Sequence, residues 1–144
     1  MGLFDFLKNK QPYTREQIGA KTMAALKAYK ERNFTLAAQL FSEYFEMKGF
    51  GNYPEMDVED GRMYVNLMLC QFYGHDYSAC KKTCDILINM GSFVGDAYAF
   101  SAMCSYKLND KETADKLWGI ATVKGCELTQ YYSKVSEVKM QGFN

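Results

Sequence analysis

The residues able to do chemistry are few and fall close together in the chain. His75, the only histidine, lies among Cys70, Cys80 and Cys84, and imidazole with thiolates is a zinc-type donor set. Their spacings of five, five and four residues match no common zinc finger, and one ligand pair would straddle a helix junction. A lone histidine in a turn reads first as a solvated turn residue rather than a general acid or base. A second constellation, Glu55, Asp57, Glu59 and Asp60, offers oxygen ligands for a cation. Carboxylates gathered at a helix start more often cap its free amides and complement its dipole. The chain has no glycine-rich phosphate loop, nucleophile elbow or HExxH. The expectation is therefore no catalytic residue, no metal site and no cofactor, with a thiol- or metal-dependent activity at Cys80 and Cys84 as the minor alternative.

Composition narrows the field further. Five cysteines, odd in number and set in helical patterns, suit small buried hydrophobes of a reducing compartment. On an intact helix Cys80 and Cys84 hold their Cβ atoms about 5–6 Å apart, beyond the roughly 3.5–4.5 Å a disulfide spans. Lys and Arg number 17 against 17 Asp and Glu, and without a basic cluster nucleic acid is not an expected partner. No apolar run reaches transmembrane length. The opening MGLFDFLKNK is short for a signal peptide and interrupted by Asp5. Phe6 stands where myristoylation needs Ser or Thr, so the expectation is a cytoplasmic protein. Leu3, Phe4, Phe6 and Leu7 crowd into residues 1–12. They read as a short helix packing its aromatics onto the first helix pair, or, alternatively, as a membrane-surface anchor.

The elements that must position any site are helices. The prolines, Pro12 and Pro54, both lie outside the helical windows. Thr14 with Gln17 has capping-box spacing, and Ile18, Thr22, Ala25, Leu26 and Tyr29 follow the helical period up to about Arg32. A second helix runs from about Thr35 to Gly49, a natural left-handed stop. After the irregular FGNYPEMDV (50–58), in which Asp57 can cap, a third helix covers about Glu59 to Tyr73. The fourth spans about Tyr77 to Asn89 and ends at Gly91, Ser92 can cap the fifth, and Asp96 to Gly125 forms two helices around Leu108-Asn109-Asp110. Beyond Gly125, Leu128, Tyr131, Tyr132, Val135 and Val138 are spaced as one face of a seventh helix over 127–141.

These elements repeat. The turns at Asn33, Asp76 and Asp110 stand 43 and 34 residues apart. The closing glycines Gly49, Gly91 and Gly125 stand 42 and 34 apart. The second helices read Asn33-Phe34-x-x-Ala37-x-x-x-Phe41, Asp76-Tyr77-x-x-Cys80-x-x-x-Cys84 and Asp110-Lys111-x-x-Ala114-x-x-x-Trp118. A 34-residue helix–turn–helix period with this motif resembles the tetratricopeptide repeat. Ala25 and Ala102 stand at the first-helix small position, which Met68 fills in the middle copy. The expected fold is an all-α, tetratricopeptide-like α-solenoid over 1–144, with helix pairs 14–49, 59–91 and 92–125 and a C-terminal capping helix at 127–141. The competing architecture is an unrelated seven-helix bundle.

The resemblance implies a binding surface. In such arrays the first helix of each pair lines a concave groove. Motif alignment puts Leu26, Tyr29 and Lys30 there from the first pair, Leu69, Phe72 and Tyr73 from the second, and Met103, Tyr106 and Lys107 from the third. Aromatics, Met and basic edges suit an amphipathic helix or extended peptide. The carboxylate-clamp positions of the chaperone-binding subset fall on Thr22, Leu26, Val65 and Leu69, so an acidic C-terminal tail is not the expected partner. The implied function is non-enzymatic binding of a protein or peptide, as an adaptor, dedicated chaperone or neutraliser. The alternative is a membrane-surface adaptor using the N-terminal Leu/Phe patch.

Overall fold

The computed structural model describes residues 13–49, 59–141 and 143. Among them all regular structure is helical: α1 (Arg15–Lys30), α2 (Phe34–Lys48), α3 (Asp60–Tyr73), α4 (Tyr77–Met90), α5 (Val94–Lys107), α6 (Lys111–Lys124), the short α7 (Glu127–Tyr131) and a 3₁₀ turn at Val135–Glu137. From α1 to α6 each helix packs mainly on its neighbours in the chain. That sequential packing defines a tetratricopeptide-like α-solenoid.

One turn is built three times. Arg32, His75 and Asn109 adopt left-handed φ of 64°, 64° and 66°. Their amides donate three residues back, to Tyr29, Phe72 and Tyr106, and the next amides donate five residues back, to Ala28, Gln71 and Ser105. This is the Schellman closure, which satisfies carbonyls left open at a helix end. Asn33, Asp76 and Asp110 then cap the following helix by accepting from the amides of Leu36, Ala79 and Thr113 at 3.4, 3.3 and 3.2 Å. Accepting these bonds from Thr113 holds the Asp110 carboxyl below its usual range. At the start of α1, Thr14 and Gln17 make the full capping box.

The small residues Ala37, Cys80 and Ala114 are fully buried, where paired helices approach. Two cores result. Ala25, Ala28, Ala37, Phe41, Leu67 and Cys70 unite α1, α2 and α3. A larger one joins α3 to α6 around Phe72, Cys84, Leu87, Met103 and Trp118, and it includes Val135, Val138 and Phe143. The Asp60 carboxylate pairs with Lys48 across the 50–58 insertion.

Three local expectations are corrected. Gly49 ends α2 in the right-handed region, at φ −64°, and so supplies no left-handed stop. Ser92 does not cap α5: the chain reverses through left-handed Gly91 and Phe93, and Ser92 turns onto α3 instead. A Cβ added at Gly61 would lie 3.1 Å from Ser92 Cβ, so the missing side chain makes the room. The seventh helix does not run over 127–141 but stops at Tyr131, because the indole Nε1–H of Trp118 donates to the Tyr132 carbonyl at 3.1 Å and the chain turns extended. The Asp57 cap and the 1–12 patch lie outside the described residues. Glu59, at the start of α3, makes no side-chain cap bond.

Candidate functional site

The zinc-type constellation is not assembled. Cys70 belongs to the first core, Cys80 and Cys84 to the second, and His75 projects from an exposed turn, its ring stacked on Tyr77 at 5.7 Å. Among the described residues no group of three or more His, Cys, Asp or Glu is placed to hold a metal. All five thiols are buried and unbridged. Burial pushes Cys70 up to about 12 and Cys126 up to about 11. Cys80, whose thiol donates to the Met68 carbonyl at 3.4 Å, is also raised, chiefly by hydrogen bonding with the neighbouring Cys104 and Cys84 thiols and by burial. Thiols held protonated are poor nucleophiles and poor ligands. Of the acidic cluster, Asp60 is paired with Lys48, while Glu55 and Asp57 lie outside the described residues.

What the fold does assemble is a ladder of aromatic rings across the C-terminal ends of the first helices. Tyr29 meets Phe34 edge-on at 5.8 Å, and Phe34 meets Tyr73 at 5.1 Å. Tyr73 adjoins Phe72 at 5.9 Å, Phe72 lies parallel to Phe143 at 6.2 Å, and Phe143 reaches Tyr106 at 5.7 Å. These separations are those of favourable ring pairs. Cations sit over the rungs: Arg32 over Phe34 at 5.5 Å, Lys107 over Phe143 at 5.4 Å, Lys111 over Tyr106 at 5.8 Å. A cavity of about 220 Å³ opens at one end, lined by Tyr29, Lys30, Arg32, Phe34, Tyr73 and Gln141. Burial there raises the Tyr29 phenol above its ordinary value, with a smaller contribution from Tyr73.

The nine candidate groove residues therefore divide. Tyr29, Lys30 and Tyr73 share the cavity. Tyr106 and Lys107 flank Phe143. Leu26 is exposed at 38%, and Leu69 packs half-buried against the larger core. Phe72 and Met103 are fully buried, which corrects their placement on an open groove. Phe72 is enclosed by Tyr77 and Phe100, and Val135, Val138 and Phe143 join the core around α5. Motif alignment places neither Phe34, because it draws on first helices alone, nor Phe143, which lies beyond the expected cap at 127–141. The spacing of Asn33-Phe34 and Asp76-Tyr77 behind each turn was the available signal for the first of these.

A separate apolar cavity of about 440 Å³ lies toward the opposite ends of the same first helices, lined by Ile18, Gly19, Thr22, Met23, Tyr44, Glu59 and Met63. No helix among the described residues is long and apolar enough to cross a membrane.

No protein-family model matches the chain, and no curated protein matches it. A solved structure does: the crystal structure of PcrH in complex with the chaperone binding region of PopB. The two superpose with a TM-score of 0.58 at 14% sequence identity, over 79% of this chain and 85% of that one. At that identity the likeness is one of fold: this chain is folded as a helical repeat of the PcrH kind.

Proposed function

We propose that this chain is a non-enzymatic protein-binding module, a cytoplasmic chaperone or adaptor of the tetratricopeptide type. The helix pairs 14–49, 59–91 and 92–125 act as one unit and hold a peptide of another protein along the aromatic ladder. The carrying observation is Phe143, a side chain from an irregular segment, seated among Phe72, Tyr106 and the Lys107 ammonium. A surface that buries a ring from non-helical chain has the shape and chemistry of a peptide groove. The fold of PcrH, solved with a region of PopB bound, supports the same use of the scaffold.

Photo-cross-linking tests this reading. A benzophenone amino acid replaces Tyr73 on the ladder or Lys116 on the exposed face of α6 in source cells. The expected result is a discrete cross-linked partner from position 73 and none from 116. Equal products from both positions, or none from 73, would overturn the proposal.

A further inference from the structure

We infer that residues 132–143 are a resident, displaceable occupant of the partner groove. The partner is then an extended apolar peptide whose aromatic side chain takes the place of Phe143. This rests on the peptide-binding reading above and specifies its ligand.

The segment has the form of a docked peptide. Val135, Val138 and Phe143 are buried to 0%, 1% and 3% exposure, whereas Ser136, Glu137, Lys139 and Gln141 between them are exposed. Anchors separated by solvated residues are how extended peptides bind grooves. Much of its hydrogen bonding closes within itself: the Tyr132 hydroxyl donates to the Lys139 carbonyl at 3.1 Å, Ser133 to Glu137 at 3.0 Å, and the Phe143 amide to the Met140 carbonyl at 3.2 Å. The Trp118 indole fixes its root at Tyr132. Helices α1 to α6 close their own Schellman turns and caps without it.

The energetic opposition is simple. Burying Val135, Val138 and Phe143, with Tyr132 and Met140 packed half-buried beside them, favours docking, and ordering the segment opposes it. A released state therefore lies within reach of a competing ligand, and the segment lowers apparent affinity by the fraction of molecules it occupies. The ladder also continues past the segment. Gln141 forms one wall of the cavity lined by Tyr29, Phe34 and Tyr73, so an incoming peptide anchored at the Phe143 position has further aromatic wall to cover.

The test uses the full chain and, as probe, a synthetic peptide of residues 132–144, together with the same peptide carrying Phe143→Ala. Affinity is read by fluorescence anisotropy on wild type and on a Phe143→Ala protein. The probe is expected to bind the variant about tenfold or more tightly than wild type, because the occupant no longer competes. The alanine probe is expected to bind neither. Added to isotope-labelled wild type, the probe should speed amide exchange in residues 135–143. Equal affinity for both proteins, or equal binding of both probes, would overturn the inference. A Tyr106→Leu protein, in which Phe143 keeps its side chain but loses this ring contact, serves if Phe143→Ala does not unfold cooperatively: it should release the segment and speed amide exchange in residues 135–141, and unchanged exchange would again overturn the inference. If a partner cross-links at position 73 yet binds wild type and Phe143→Ala alike, the function stands and the resident-occupant idea falls. If the probe competes as expected but no partner cross-links, the occupant idea stands and the proposed function falls.

Discussion

Three glycines lie early in the first helices, Gly61 and Gly95 at the same place in their repeats and Gly19 one position out of that register, and the structure assigns them different outcomes on replacement by alanine. A Cβ at Gly19 meets nothing within 4 Å among the described residues. There alanine gains helix propensity and a less flexible unfolded chain, worth up to about 1 kcal/mol. At Gly61 the nearest atoms are Ser92 Cβ at 3.1 Å and Oγ at 3.2 Å. The hydroxyl can rotate away but the Cβ is fixed to the turn, so the gain and the crowding cancel to within about 0.5 kcal/mol. At Gly95 the added carbon would fall 2.3 Å from the Gly125 carbonyl oxygen and 2.9 Å from its carbon. Both are backbone atoms, so α5 or the end of α6 must move by about 1 Å. Overpacking of that kind costs about 1–3 kcal/mol, of which the propensity gain returns less than about 1. The expected order of stability is Gly19→Ala above wild type, Gly61→Ala level with it, and Gly95→Ala below it. Urea unfolding followed by circular dichroism at 222 nm reads this as shifts in midpoint at constant m. In thermal melts each kcal/mol corresponds to roughly 2–8 °C. If Gly95→Ala matched Gly19→Ala, the start of α5 and the close of α6 would not touch as described, and the pairing of the last two helices would be wrong.

The remaining predictions concern the caps, the thiols and the root of the 132–143 segment. Asp76→Ala removes the acceptor of the Ala79 amide and should cost about 0.5–2 kcal/mol, while Asp76→Asn should cost much less; equal losses in urea melts would refute the capping role. Cys70 and Cys126 ionise near 9.0 when unfolded but near 12 and 11 when folded. Their contribution is fully present below pH 9 and is lost as pH rises toward those folded values. The melting temperature should fall from pH 9 upward, less steeply in Cys70→Ala, and parallel curves for the two proteins would exclude the mechanism. Trp118→Phe keeps the buried ring but leaves the Tyr132 carbonyl without its indole donor. It should accelerate amide exchange in residues 132–143 while leaving α1 to α4 unchanged, and unaltered exchange would refute that anchor.

Much of the stack was legible in the sequence because its signals are local. Each turn needs one residue able to cap and one apolar pair beyond it, and Asn33, Asp76 and Asp110 announce all three. The left-handed turn residues show where such reading stops. Asn109 and His75 are residue types that adopt φ above zero readily, but Arg32 is not. The Arg32 turn is imposed by the helices on either side, and its side chain settles over Phe34, as His75 settles on Tyr77. His75, the first candidate for chemistry, is thus a turn residue suited to its own backbone conformation.

The site was legible only in part, and Val135 and Val138 show why. Tyr132, Val135 and Val138 are three residues apart, a spacing that serves one face of an α-helix and equally a 3₁₀ turn with three residues per turn. Local preference does not separate the two readings, since Ser133, Val135, Ser136 and Val138 are all middling helix formers. A single long-range bond decides. Once the Trp118 indole takes the Tyr132 carbonyl, α7 has ended, and the next apolar side chains fall into the core around α5 rather than along a cap. Trp118 is the large residue of the third repeat motif, so the device that closes the last pair also delivers Phe143 to the ladder. Phe143 from the irregular segment meets both Phe72 and Tyr106. The irregular segment covers them, and any partner that uses those rings must first contend with Phe143.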